Sequence, residues 1–219
     1  MPLVDLPTPH RPLVSSEPPD WSKGPHLTPA PLLTGEGFPA PLSAKSMQPS
    51  HDDLGPIVSS GHLAAGALPA LSEFEFALSM TVHAFQRWMV RCIAASGVPD
   101  LSPLDVLVLH NVNHRGKPKR LADICLVLNI EDTHLVNYAL KKLEKLKLLK
   151  AGRKGKEKTV AVTPAGEDAC RRYAQIREQL LVKSVLATGT DPRRLSEIAA
   201  AMRSLSGQYD QAARAAASL

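Results

Sequence analysis

Two short helical patterns split by a break, a lysine-rich hairpin directly behind them, and long amphipathic stretches on either side predict a mainly α fold with a small β-hairpin wing. The arrangement is a winged helix-turn-helix flanked by long dimerisation helices, with the winged core at about residues 102–164.

The chain is uneven along its length. Residues 1–70 hold 14 of the 19 prolines and carry a net charge of −3 from 3 basic and 6 acidic residues. They show no sustained period of 2 or 3.6, so ordering the backbone would lack compensating burial. This segment reads as a disordered Pro-rich tail, and residues 71–219 as the folded domain that carries the winged core. The tail has no basic region followed by an apolar run and is too acidic for a transit peptide. No run of 18 apolar residues occurs anywhere. The sequence therefore predicts a cytoplasmic protein with no membrane partner.

Ser72 is the expected cap of a first helix running to about Ser96, with Leu78, Val82, Phe85, Met89, Cys92 and Ile93 on one face; Gly97 and Pro99 stop it. Ser102-Pro103-Leu104-Asp105 starts the next helix, and Gly116 and Pro118 end its connection. Leu121, Ile124, Cys125 and Leu128 then recur at three- and four-residue steps. After a break at Asn129 and Ile130, either Asp132 or Thr133 caps the following helix. Leu135, Val136, Ala139, Leu140, Leu143 and Leu146 mark its apolar side. Thr133, His134, Asn137, Tyr138, Lys141, Lys142 and Lys145 mark the other. A helix that buries leucine and turns amides, hydroxyls and lysines outward suits a DNA groove. An ordinary amphipathic helix has the same pattern, and the hairpin behind it decides between them.

Leu148 and Leu149 lead into that hairpin and Thr159 to Val162 alternate as its return strand, with Gly152 and Gly155 as the expected turn residues and Arg153, Lys154, Lys156 and Lys158 around the tip. Thr163 and Pro164 begin another helix reaching about Leu186, and Thr188 to Pro192 break it before a last helix with Leu195, Ile198, Met202, Leu205 and Tyr209 at helical spacing. Between Arg115 and Lys158 lie 13 of the 26 Lys and Arg residues against 5 Asp and Glu, an excess of +8 where the whole chain carries +5. Such a patch attracts a polyanion through counterion release and steering, and double-stranded DNA is the expected partner. The flanking helices offer more apolar surface than a small winged core can cover, which points to a homodimer with two recognition helices one DNA turn apart.

Leu121-Ala122-Asp123-Ile124, Leu143-Glu144-Lys145 leading to Leu148-Leu149, and Val162-Thr163-Pro164-Ala165-Gly166 together resemble the winged-helix core of the multiple antibiotic resistance regulator (MarR) family. The resemblance covers roughly residues 72–215. Lys154 and Lys156 stand where the family often carries an Asp-x-Arg pair, which implies a wing that grips phosphates. Lys147 stands where a glycine is usual, which implies a recognition helix that ends less sharply. The resemblance further implies a small aromatic or carboxylate effector, with His83, Arg87, Trp88, Arg91, His110 and His114 as the residues offering cation and ring contacts. Because redox-sensing relatives exist in that family, Cys92, among Arg87, Trp88 and Arg91, is a sensor candidate; a packed, inert thiol is the simpler reading.

Cys92, Cys125 and Cys170 form no CxxC pair and fit a reducing compartment. His110 and His114 lie four apart on a helix but lack further ligands at helical spacing, so no metal or other cofactor is expected. No nucleophile elbow, phosphate loop or HExxH occurs, so no enzyme is expected. The residues expected on DNA are Thr133, His134, Asn137, Tyr138 and Lys141 of the helix with Arg153, Lys154, Lys156 and Lys158 of the wing. The reading is a ligand-responsive repressor; the alternatives are an architectural DNA-binding protein without effector and a protein-interaction scaffold.

Overall fold

The computed structural model describes residues 55–219, and most of the expected tail lies outside them. A 3-10 turn at Gly61–Ala65 leads into α1 (Pro69–Ala95), which starts three residues earlier than Ser72. Pro69 opens the helix in the position where its missing N–H costs nothing. Ser72 is not the cap: its buried hydroxyl donates to the Leu63 carbonyl at 2.7 Å and ties the 3-10 turn to the helix.

Helix α2 (Pro103–Asn113) opens on a full capping box, Ser102 accepting from the Asp105 backbone N–H and Asp105 accepting from that of Ser102. Helices α3 (Leu121–Leu128) and α4 (Thr133–Lys145) form the helix-turn-helix. Asn129 between them takes a left-handed φ of 52°, and Asp132 rather than Thr133 caps α4 by accepting from the His134 N–H at 2.8 Å. Strands β1 (Leu149–Lys154) and β2 (Glu157–Val162) pair antiparallel from Leu149 opposite Val162 to Lys154 opposite Glu157. Lys119 adds a short third rung by exchanging both backbone bonds with Val160 at 2.9 Å.

Helix α5 (Pro164–Ile176) is capped by Thr163 and continues through a π-helical stretch, Arg177–Val182, into α6 (Lys183–Ala187). Helix α7 (Pro192–Ala216) follows, capped by Asp191. The core brings together Cys92 and Ile93 of α1, Val106, Leu109 and Val112 of α2, Ile124 of α3, and Val136 and Leu143 of α4. Val162 of the wing and Tyr173 of α5 close it.

Two further expectations from the sequence change. Leu135 and Leu146, placed on the apolar side of α4, are exposed, because they flank the stripe centred on Val136, Ala139, Leu140 and Leu143. Gly152 is not a turn residue: it pairs with Thr159 inside the strand, and the two-residue turn is Gly155-Lys156. Of that pair only Gly155 has positive φ, 62°, the pattern of a II′ hairpin with glycine at its first central position.

Recognition helix α4 does not fray for want of a glycine. Lys147 itself adopts φ 60°, its N–H reaching the Glu144 carbonyl at 2.9 Å while the Leu148 N–H reaches that of Leu143 at 3.0 Å. This is a Schellman ending made with a lysine. Packing of Leu148 and Leu149 into the core holds Lys147 in a conformation that costs roughly 1 kcal/mol in a residue with a Cβ.

Candidate nucleic-acid interface and effector cavities

The outward face of α4 presents Thr133, His134, Tyr138 and Lys141 to solvent, with Asn137 half-buried among them. The wing rises beside this helix. A groove of about 430 Å³ between the two is lined by Asn137, Lys141 and Glu144 of α4 and by Arg153, Lys158 and Thr159 of the hairpin. The fold thus joins four of the expected DNA-contacting side chains on one concave surface. Lys154 and Lys156 lie further out, at the exposed tip.

Lys142, which the sequence also places on the polar side of α4, is turned to the fold. Its ammonium donates to the Asp105 carboxylate at 2.8 Å and to the Asp100 carbonyl at 2.6 Å, sealing α4 against the start of α2. A buried carboxylate is held by a nearby cation, so this lysine serves the fold and not a phosphate. The acidic side chain in β2 is also engaged. Arg120, at the start of α3, donates to Glu157 at 3.1 Å and to both carboxylate oxygens of Asp123. Those bonds lift the guanidinium further above its already high pKa, the Asp123 contact first. With Glu157 turned to Arg120, the wing lysines are left without their nearest acidic competitor.

The residues expected around an effector are divided by the fold. Trp88 and His110 come together in a cavity of about 670 Å³ between α1, α2 and α5, with Phe85, Met89, Cys170 and Tyr173. His83, Arg87 and Arg91 point to a different side of α1, around a shallow cleft of about 370 Å³ beside Pro103. His114 belongs to another hollow on α2. The cations in the 670 Å³ cavity are instead Arg171 and Arg177, from α5 and the π-helical stretch. Sequence reasoning missed both, since an arginine on a helix of unknown phase carries no mark of the cavity it lines.

Inside the cavity, His110 packs edge-on to Tyr173 with ring centroids 4.5 Å apart. Burial lowers its pKa, so the ring is neutral at pH 7, and its Nε2 is buried without a hydrogen-bond partner. Cys92 lacks the lowered pKa that a sensor beside Arg87 and Arg91 would need, in keeping with the packed, inert thiol. Burial pushes its thiol up to about 11, outweighing the nearby Arg177 charge, and its sulfur lies 3.6 Å from the Tyr173 carbonyl. Cys170 is likewise pushed up to about 11 by burial. Neither environment favours a thiolate. No third donor joins His110 and His114, and no group of three metal-ligating side chains occurs among the described residues.

No helix among the described residues is long and apolar enough to cross a membrane. Residues 101–166 match the family model for a winged helix DNA-binding domain. No curated protein matches the chain in sequence. Among solved structures, a MarR family regulator from Neisseria meningitidis superposes with a TM-score of 0.52 at 13% identity, covering 65% of this chain and 94% of the other. The Staphylococcus aureus MarR protein in complex with salicylate and kanamycin superposes with a TM-score of 0.51 at 17% identity, covering 68% of this chain and 98% of the other. Those likenesses give this chain the fold of the MarR regulators, with the winged DNA-binding domain at its centre.

Proposed function

We propose that this winged-helix DNA-binding protein, which has the fold of the MarR regulators, is a cytoplasmic homodimeric transcription repressor whose DNA affinity is tuned by a small organic anion. The single observation that carries the reading is the groove that unites Asn137 and Lys141 of α4 with Arg153 and Lys158 of the wing. In this reading Asn137, with Thr133, His134 and Tyr138, meets base edges, where an amide can bond adenine in a bidentate way. Arg153, Lys154, Lys156 and Lys158 grip phosphates and carry affinity without sequence information. Exposed Val82 and Phe85 on α1 and Leu195, Ile198 and Met202 on α7 support dimerisation outside the winged core. The cavity supports an aromatic or carboxylate effector whose anionic group replaces Asp168 or Glu178 as the partner of Arg171 or Arg177, with Glu167 also in its wall. Salicylate in the S. aureus protein is a small molecule of that chemistry.

The test is recovery and sequencing of genomic DNA fragments retained by the purified protein. A repressor enriches a short palindrome by orders of magnitude over random DNA. An architectural protein enriches it only slightly, and a scaffold retains nothing. On the recovered site, replacing Lys154 and Lys156 together with alanine is expected to weaken specific and random DNA alike. It should flatten log affinity against log salt by nearly 2, about 0.9 for each phosphate no longer neutralised. An unchanged slope with unchanged affinity would remove the wing from the interface.

A further inference from the structure

Among the described residues that line the groove between α4 and the wing, Glu144 is the one acid. Asn137 and Lys141 share the α4 wall with it, Arg153 and Lys158 stand on the hairpin wall, and Leu140 belongs to the apolar floor. Steps of four and three residues place Asn137, Lys141 and Glu144 on one ridge of the helix. That ridge spans roughly 10 Å, close to about three base-pair steps of DNA. An amide, an ammonium and a carboxylate therefore stand in a row opposite the wing.

Glu144 is not spent on the protein. It is half-buried, and no salt bridge among the described residues involves it, although Lys141, Arg153 and Lys158 line the same groove. The acid of the wing itself, Glu157, is held by Arg120. A duplex has little to offer a free carboxylate. Its phosphates repel it, and the donors in the major groove are the amino groups of cytosine and adenine. At adenine that amino group sits beside the N7 acceptor, which would face the second carboxylate oxygen. Cytosine presents its amino group with no acceptor of its own beside it. The guanine paired with it adds O6 and N7, two acceptors that suit an ammonium.

We propose that Glu144 is a specificity-determining residue that selects a C·G pair in the bound site. Its carboxylate accepts from the cytosine amino group. Lys141, one turn back on the same ridge, donates to guanine O6 or N7 of that pair or of its neighbour. Arg153 and Lys158, on the facing wall, hold the flanking phosphates and offset their repulsion of the carboxylate. On any other sequence Glu144 carries a cost, because without an amino group opposite it stands unpaired against a polyanion. The proposal deepens the base-reading surface given above and rests on it.

The experiment selects bound duplexes from a library of random DNA, using the full-length protein and its Glu144→Gln and Glu144→Ala variants, and sequences what each retains. The unaltered protein is expected to enrich a motif with a fixed C·G pair. Glu144→Gln, whose amide suits adenine, should move the preference at that one position from C·G to A·T. Glu144→Ala should flatten it, lowering discrimination there by roughly tenfold or more while the other positions keep theirs. A motif that lacks the pair, or that neither variant moves, overturns the proposal. So does a uniform gain in affinity on all DNA, since Glu144 is then only a counterweight to the wing cations. A protein that enriches no motif at all removes the regulator reading together with this role, whereas a motif unmoved by both variants removes the role alone.

Discussion

Helices α4 and α7 carry the same signal in sequence, an apolar stripe at helical spacing opposite a charged face, and meet opposite fates. In α4, Val136 and Leu143 are fully buried against α2 and the wing. In α7, no residue is buried against the other described residues, and Ile198 is 46% exposed. The first stripe is satisfied within the chain and leaves the opposite, polar face in solvent. Among the described residues the second meets the rest of the chain at isolated points, such as Tyr209 to Glu75 at 3.1 Å and Asn129 to Asp210 at 3.2 Å. An apolar stripe therefore says that a face will be covered; it does not say by which chain.

The largest effect that sharpens this contrast is expected from Leu143→Ala, which empties a fully buried site and should cost about 2–5 kcal/mol in urea unfolding. A loss under about 1 kcal/mol would mean that α4 is held by something other than its stripe. Gly166→Ala comes next. A Cβ there would lie 2.3 Å from the Leu148 carbonyl oxygen and 2.8 Å from a Val162 methyl, so α5 must shift from the end of α4 at about 1–3 kcal/mol. Lys147→Gly should act in the opposite sense, raising stability by up to about 1 kcal/mol by relieving the left-handed residue that ends α4. The smallest change in the folding of the single chain is expected from Val82→Glu with Ile198→Glu. Both positions are exposed, so unfolding of the dilute monomer should move within roughly 0.5 kcal/mol. Sedimentation at micromolar concentration should nevertheless change from dimer to monomer. A monomer before mutation would end the dimer reading.

Local chemistry was legible. The capping box of Ser102 and Asp105, the Thr163-Pro164 start of α5 and the break at Asn129 each act over a few residues, and each lies where its residue types put it. The signature glycine was legible as a motif but not as a cause; only the packed chain brings Leu148 over Gly166. Lys142 looked like its neighbours because a charge on a helix face does not reveal the Asp105 that waits 37 residues away. Lys147 looked like a weak helix ending because propensity weighs one residue, whereas the buried Leu148 and Leu149 fix its backbone. The effector residues scattered for the same reason. His83, Arg87 and Arg91 share a sequence neighbourhood with Trp88, yet they face a different side of the helix.

The fit around Gly166 makes α5 and the recognition helix a single gear. The Thr163 hydroxyl donates to the carbonyl of Lys147 at 2.7 Å or of Leu148 at 3.0 Å, and the Leu148 carbonyl presses on the first turn of α5 with no room for even a methyl group. Further along the same rod, Cys170, Tyr173 and Arg177 line the 670 Å³ cavity. There is no slack between the two ends to absorb a displacement. An occupant that levers α5 away from α1 would therefore turn the end of α4 with it, and in the proposed dimer that turn would take the two α4 helices off half-sites spaced for the other setting.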